Sequence, residues 1–214
     1  MSINKIIIVL IVLALSCNLN AKDNLAIDII DTEILNIISP VPKKPMESFS
    51  VLMDYSKKDP KVSYYSGVAL QYFMNQASDS QKLYKQAIEL YEEQNNTMDI
   101  VLPLHNMGML LMEQNKTKDG LQYLQRASEL GYDRATYNLA IYLSGEDDYY
   151  SNYLIKKRQI GLFQKLLSSK KYKPAALALL GRLYMDPPRG ENNELIDYGL
   201  SLKYLLEALM SMRL

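Results

Sequence analysis

Few residues in this 214-residue chain are equipped for chemistry, and they are scattered. His105 is its single histidine and Cys17 its single cysteine. That excludes a mechanism needing two histidines, and any His-x-x-x-His or Cys-x-x-Cys metal spacing. No serine stands in a Gly-x-Ser-x-Gly elbow, and no glycine-rich phosphate loop leads into a helix. The carboxylate pairs Glu92–Glu93 and Asp147–Asp148 fall at a helix end and in a loop. Acid–base work by two carboxylates needs groups converging on one bond from distant parts of the chain, and nothing in the sequence selects such a pair. Two basic runs, "IKKRQ" (Ile155–Gln159) and "SSKKYK" (Ser168–Lys173), are short and offset by acidic stretches in a chain of zero formal net charge. They read as solvated faces rather than a nucleic-acid surface. No cofactor and no metal are implied, and the expectation is a protein that is not an enzyme.

A binding surface would have to be held by the regular elements of the chain. The chain opens with "MSINKIIIVLIVLALSCNLNA": Lys5, an apolar run from Ile6 to Leu15, then small and polar residues. This is the layout of a secretory signal peptide. The run is too short for the ~20 residues of a membrane-spanning helix. Two processing sites compete: cleavage after Ala21, or lipidation of Cys17 within "ALSC", a loose lipobox. The expected location is outside the cytoplasm: periplasmic, secreted or anchored to the outer membrane. With one cysteine no internal disulfide can form, so packing alone must stabilise the fold. A chain 48% hydrophobic and 22% charged has the apolar material for that. "NNT" at Asn95 and "NKT" at Asn115 fit glycosylation acceptors, a pattern that matters only in a eukaryotic host.

Internal repetition is the strongest signal. "YYSGVALQY", "HNMGMLLME", "YNLAIYLSG" and "ALLGRLYMD" each carry a small residue at the fourth position: Gly67, Gly108, Ala140 and Gly181. Three places on comes Leu70, Leu111, Leu143 or Tyr184, on the same helix face. A second amphipathic stretch follows each time. Ala87, Ala127, Leu167 and Ala208 align there at separations of 40, 40 and 41 residues, preceded four places earlier by Leu83, Tyr123, Phe163 and Tyr204. Two alternating amphipathic helices with a period near 40 predict a helical solenoid. Glycine in mid-helix costs about 1 kcal/mol against alanine. Its recurrence predicts that paired helices cross backbone to backbone at that point.

"NMGMLL" with "GLQYLQRASELGYDRATYNLA", and "LGRLY" with "YLLEAL", resemble Sel1-like repeats, relatives of the tetratricopeptide repeat. The likeness covers residues 60 to 214. It departs in the long inter-helix segments "EDDYYSN" and "PPRGENNELID", in Leu167, and in Tyr or Phe where the family often has Trp. It implies an all-α fold, a right-handed α-solenoid of about four helix-turn-helix repeats. The expected organisation is a signal peptide over 1–21, an N-terminal cap and linker over 22–60, and the repeat domain over 61–214. "NLAIDIIDTEILNIIS" in the cap is helical in spacing but rich in β-branched residues, so a strand stays open there.

The resemblance further implies another protein or peptide as partner, bound on a concave surface lined by the first helices, with no nucleic acid and no membrane span. By position relative to each small residue, the lining comprises Tyr64, Gln71 and Tyr72; His105, Met109, Met112 and Glu113; Arg134 and Tyr137; and Arg182 and Met185. Tyr, Met and Arg are enriched at interfaces, though tyrosines and methionines at helical spacing also fill cores. Exported Sel1-like proteins include immunity proteins against periplasmic effectors, as well as assembly and signalling adaptors. The competing reading is an envelope-acting enzyme with a scattered carboxylate site. The apolar end "LLEALMSMRL" either folds back on the body or meets a partner.

Overall fold

The computed structural model describes residues 56–72, 75–143, 153–185 and 195–211. The leader, the 22–55 part of the expected cap, and segments 144–152 and 186–194 lie outside them. The described residues form eight α-helices and no strand: α1 (Pro60–Tyr72), α2 (Ala77–Glu93), α3 (Val101–Glu113), α4 (Thr117–Glu129), α5 (Asp133–Tyr142), α6 (Tyr153–Lys165), α7 (Lys173–Met185) and α8 (Tyr198–Ser211). A 3-10 turn, Leu166–Ser168, ends α6. The helices alternate as first and second members of four repeats, and the described residues divide into two compact units, one up to Leu110 and one from Leu111.

Local chemistry sets the helix boundaries. Asp59 caps α1: its Oδ1 accepts from the backbone N–H of Lys61 at 2.9 Å and of Val62 at 3.1 Å, with Pro60 in the first helical position. Asp197 caps α8 in the same way, accepting from the N–H of Leu200 at 2.8 Å. At the other end, Asn95, Asn115 and Gly131 take positive φ of 51°, 59° and 86°. The next residue in each case donates back to a carbonyl five positions earlier, Asn96 to Tyr91, Lys116 to Leu111 and Tyr132 to Ala127. This is the left-handed cap that closes a helix C-terminus and satisfies its last carbonyls. Asparagine is among the few non-glycine residues that accept that conformation. The two asparagines of the "NNT" and "NKT" triplets thus have a structural reason to be where they are.

In unit 1, α1 packs on α2. The buried face of α2 runs Ser80, Tyr84, Ala87, Ile88, Tyr91, a helical stripe aimed at one neighbour. Gly67 lies at the crossing. A Cβ built there would stand 2.8 Å from Cδ1 and Cε1 of Tyr84 and 3.3 Å from the Ser80 carbonyl oxygen. In unit 2, α4 packs on α5, α5 on α6, α6 on α7 and α7 on α8. Gly181 repeats the arrangement: a Cβ would meet Leu205 Cγ at 2.6 Å and the Ser201 carbonyl oxygen at 3.2 Å. Ser201 Oγ also donates to the Gly181 carbonyl at 2.7 Å. Between α5 and α6, Gln159 Nε2 donates to the Ala140 carbonyl at 2.8 Å, so a hydrogen bond to the carbonyl of the small residue recurs. Gly108 is buried.

The small residue opposite the glycine is serine, seven places before the aligned alanine: Ser80 before Ala87, and Ser201 before Ala208. The same position is Gly120 in the second repeat and Ile160 in the third. Ala87, Ala127 and Ala208 are buried as expected, whereas Leu167 is not their counterpart. Helix α6 stops at Lys165, leaving Leu167 half-buried in the 3-10 turn while Leu166 and Phe163 fill the core.

Candidate functional site

In unit 1 the first helix carries less open surface than its sequence implies. Tyr64 is 4% exposed and His105 is 3% exposed. Both were expected to line an open face, and both are core. The reason is a polar network that tolerates burial. Tyr64 packs on the rings of Tyr65 and Tyr84, centroids 5.0 and 6.0 Å away, and its hydroxyl accepts from Asn106 Nδ2 at 3.2 Å. The Asn106 Oδ1 lies 3.1 Å from His105 Nδ1. Polar atoms satisfied in this way can be removed from water at little cost. Gln71 is half-buried and engaged, its Oε1 accepting from the Tyr84 hydroxyl at 2.7 Å. Tyr72 is exposed, Met109 is half-buried, and Tyr91 sits deep in the core. Burial, with Asp99 and Asp59 nearby, lifts the Tyr91 phenol far above its ordinary value.

In unit 2, Met112 is half-buried and Glu113 exposed at the end of α3. The richest surface belongs to α5 and the start of α7. Tyr137 is half-buried, its ring stacked on that of Tyr172 at 5.3 Å and 29°. On its other side Phe163, wholly in the core, presents an edge at 6.3 Å. Tyr172 immediately precedes α7. Ser169 fixes it there, its Oγ accepting from the Tyr172 N–H at 3.3 Å while its carbonyl accepts from the Lys173 N–H at 2.9 Å. Lys171 Nζ lies 5.8 Å from the Tyr172 ring centroid, within cation–π range. Burial lifts the Tyr172 phenol above its usual value, and the nearby Arg134 guanidinium opposes that rise. Arg134 is half-buried; Lys170, Lys171 and Lys173 are exposed.

The result is two stacked, half-open aromatic rings with one arginine beside them and lysines around. It can grip an apolar or aromatic side chain and hold a neighbouring carboxylate. Of the expected lining residues the structure brings Arg134 and Tyr137 together. Arg182 and Met185 are exposed but sit about 15 and 20 Å beyond Tyr172 in the direction of α7. Tyr172 and Lys171 were missed, because they lie just outside the periodic helical pattern in a run that reads as solvated. Their signal is an aromatic residue embedded in lysines. Among the described residues no group of three or more His, Cys, Asp or Glu could hold a metal ion, and no helix is long and apolar enough to cross a membrane.

The fold these helices define is a tetratricopeptide-like helical-repeat fold. Solved structures of MamA share it. One MamA crystal structure superposes with a TM-score of 0.57 at 15% identity, over 79% of this chain and 87% of that one. A double mutant, "MamA RS-1 ArsTM", gives 0.53 at 17% identity, over 79% and 85%. MamA from residue 41 to its end, from Desulfovibrio magneticus RS-1, gives 0.52 at 18% identity, over 91% and 97%. No protein-family model and no curated protein matches the chain.

Proposed function

We propose that the chain is a non-enzymatic protein-interaction module that holds another protein or peptide against its first-helix faces, with the Arg134–Tyr137–Tyr172 cluster as the anchor. That cluster carries the reading. Tyrosine and arginine are among the side chains that dominate binding energy at interfaces, and here two half-open rings are held in place by stacking beside an arginine. The helical-repeat fold supports it, since such folds offer extended faces built from successive helices. Within that fold, the assignment to Sel1-like repeats rests on the "LGRLY" and "RASELGYDRATYNLA" motifs, and export rests on the leader.

The specific role we put forward is occlusion of a toxic effector outside the cytoplasm. The test is co-purification of tagged full-length chain from its native host, compared with Arg134→Glu and Arg182→Glu. A partner lost with Arg134→Glu supports the cluster. A partner recovered equally by all three proteins refutes it. Co-expression with the product of the adjacent reading frame tests the role itself: rescue of growth is expected, and unrelieved or absent toxicity counts against occlusion.

A further inference from the structure

Helix α8 turns one face into the core and leaves the opposite face bare. Ser201 and Ala208 are buried, Leu205 closes on Gly181, and Tyr204 stacks on Tyr184 at 5.8 Å and 21°. On the other side Tyr198, Leu202, Leu206, Leu209 and Met210 are each between 51% and 70% exposed. No other described helix exposes more than one large apolar side chain. The five lie at intervals of four, four, three and one, which places them in a single stripe along the helix. A stripe of this kind on a soluble protein marks an interaction surface.

The flanking charges say what fits it. Lys203 is exposed and Glu207 half-buried, both on the same edge of the stripe. Within one helix, lysine four places before glutamate is the less favourable order for an ion pair. When two helices pair antiparallel, the same edge of each meets the other. A two-fold axis at Leu205 would then set Lys203 of each copy against Glu207 of its mate. That register also sets Leu206 about 3 Å along the axis from its own copy and Leu202 about 1.5 Å from Leu209, close enough for the apolar side chains to meet. The stripe is complementary to itself in the register of its apolar residues and in charge, the condition for an isologous contact.

We propose that α8 is the seam through which two copies of this chain associate, antiparallel, with Lys203 and Glu207 exchanged between them. This surface is separate from the first-helix anchor, and the inference stands or falls independently of it. One helix pair covers less than the roughly 800 Å² per partner of a standard interface, so the dimer is weak.

Sedimentation velocity of the full-length chain from roughly 1 to 500 µM reads it directly. The expected result is a reversible monomer–dimer equilibrium, abolished by Leu206→Asp. Lys203→Glu and Glu207→Lys should each weaken association about tenfold, by turning two attractive contacts into two repulsive ones. The double exchange Lys203→Glu/Glu207→Lys should restore it. Neither Lys203 nor Glu207 is buried in the core, so the charge changes decide the matter even where Leu206→Asp disturbs folding. A monomer at every concentration, a dimer indifferent to Leu206→Asp, or a double exchange no tighter than the single ones overturns the proposal. So does a monomer that takes vesicles or another protein's helix on this face.

Discussion

Gly67→Ala is the sharpest probe of the helix crossings. Alanine in a helix interior gains about 1 kcal/mol over glycine, so an open site would be stabilised. At Gly67 the new methyl lands 2.8 Å from two ring carbons of Tyr84. That ring has nowhere to go: Tyr84 is wholly buried and its hydroxyl is tied to Gln71 at 2.7 Å. The clash must be relieved by separating α1 from α2. Overpacking costs about 1–3 kcal/mol, and the pinned ring puts this case near the top of that range. Subtracting the helical gain leaves a net loss of about 2 kcal/mol. Gly161, in α6, is the internal control, since a Cβ there meets nothing within 4 Å. Gly161→Ala should stabilise by about 0.5–1 kcal/mol. Urea denaturation of the three proteins, followed by far-UV circular dichroism, measures both. Equal stabilisation by the two substitutions would refute the backbone-to-backbone crossing.

Three further outcomes follow from the same structure. Stability should fall as pH rises above about 10, because burial favours the neutral phenol of Tyr91 in the folded state and the unfolded chain ionises first. Tyr91→Phe should blunt that alkaline loss in a pH series of melting curves. Asp59→Ala should cost about 1 kcal/mol through loss of the α1 cap, read by urea denaturation. Asn115→Gly should be tolerated or slightly stabilising and Asn115→Ala destabilising by about 1 kcal/mol, since the position holds a φ of 59°.

The helix pairs were legible in the sequence because glycine in mid-helix is costly and recurs only where something repays it. Gly67 and Gly181 could be placed at crossings before any coordinates. Their partners Ser80 and Ser201 were not, because serine is common on solvated helix faces and carries no such penalty. The open-face reading failed at Tyr64 and His105 because spacing from the glycine gives an angle around the helix and says nothing of how deep the helix lies. Asn106 supplies the hydrogen bonds that let both sink into the core. Tyr172 escaped for the opposite reason: it sits before the first turn of α7, where periodicity has not begun. The helix ends were readable in principle. Asn95 and Asn115 each follow a helical pattern by a residue or two, where asparagine acts as a left-handed cap.

The proposed function rests on a protein partner being anchored by the α5 and α7 cluster. Its most direct test is the affinity of the co-purified partner, measured by titration calorimetry, for the wild-type chain and for Arg134→Glu and Tyr172→Ala. Each change should weaken binding by roughly 30-fold or more, the loss expected of an interface hot spot, with the helical circular dichroism of wild type retained at the assay temperature. Affinities unchanged in both variants would contradict the claim.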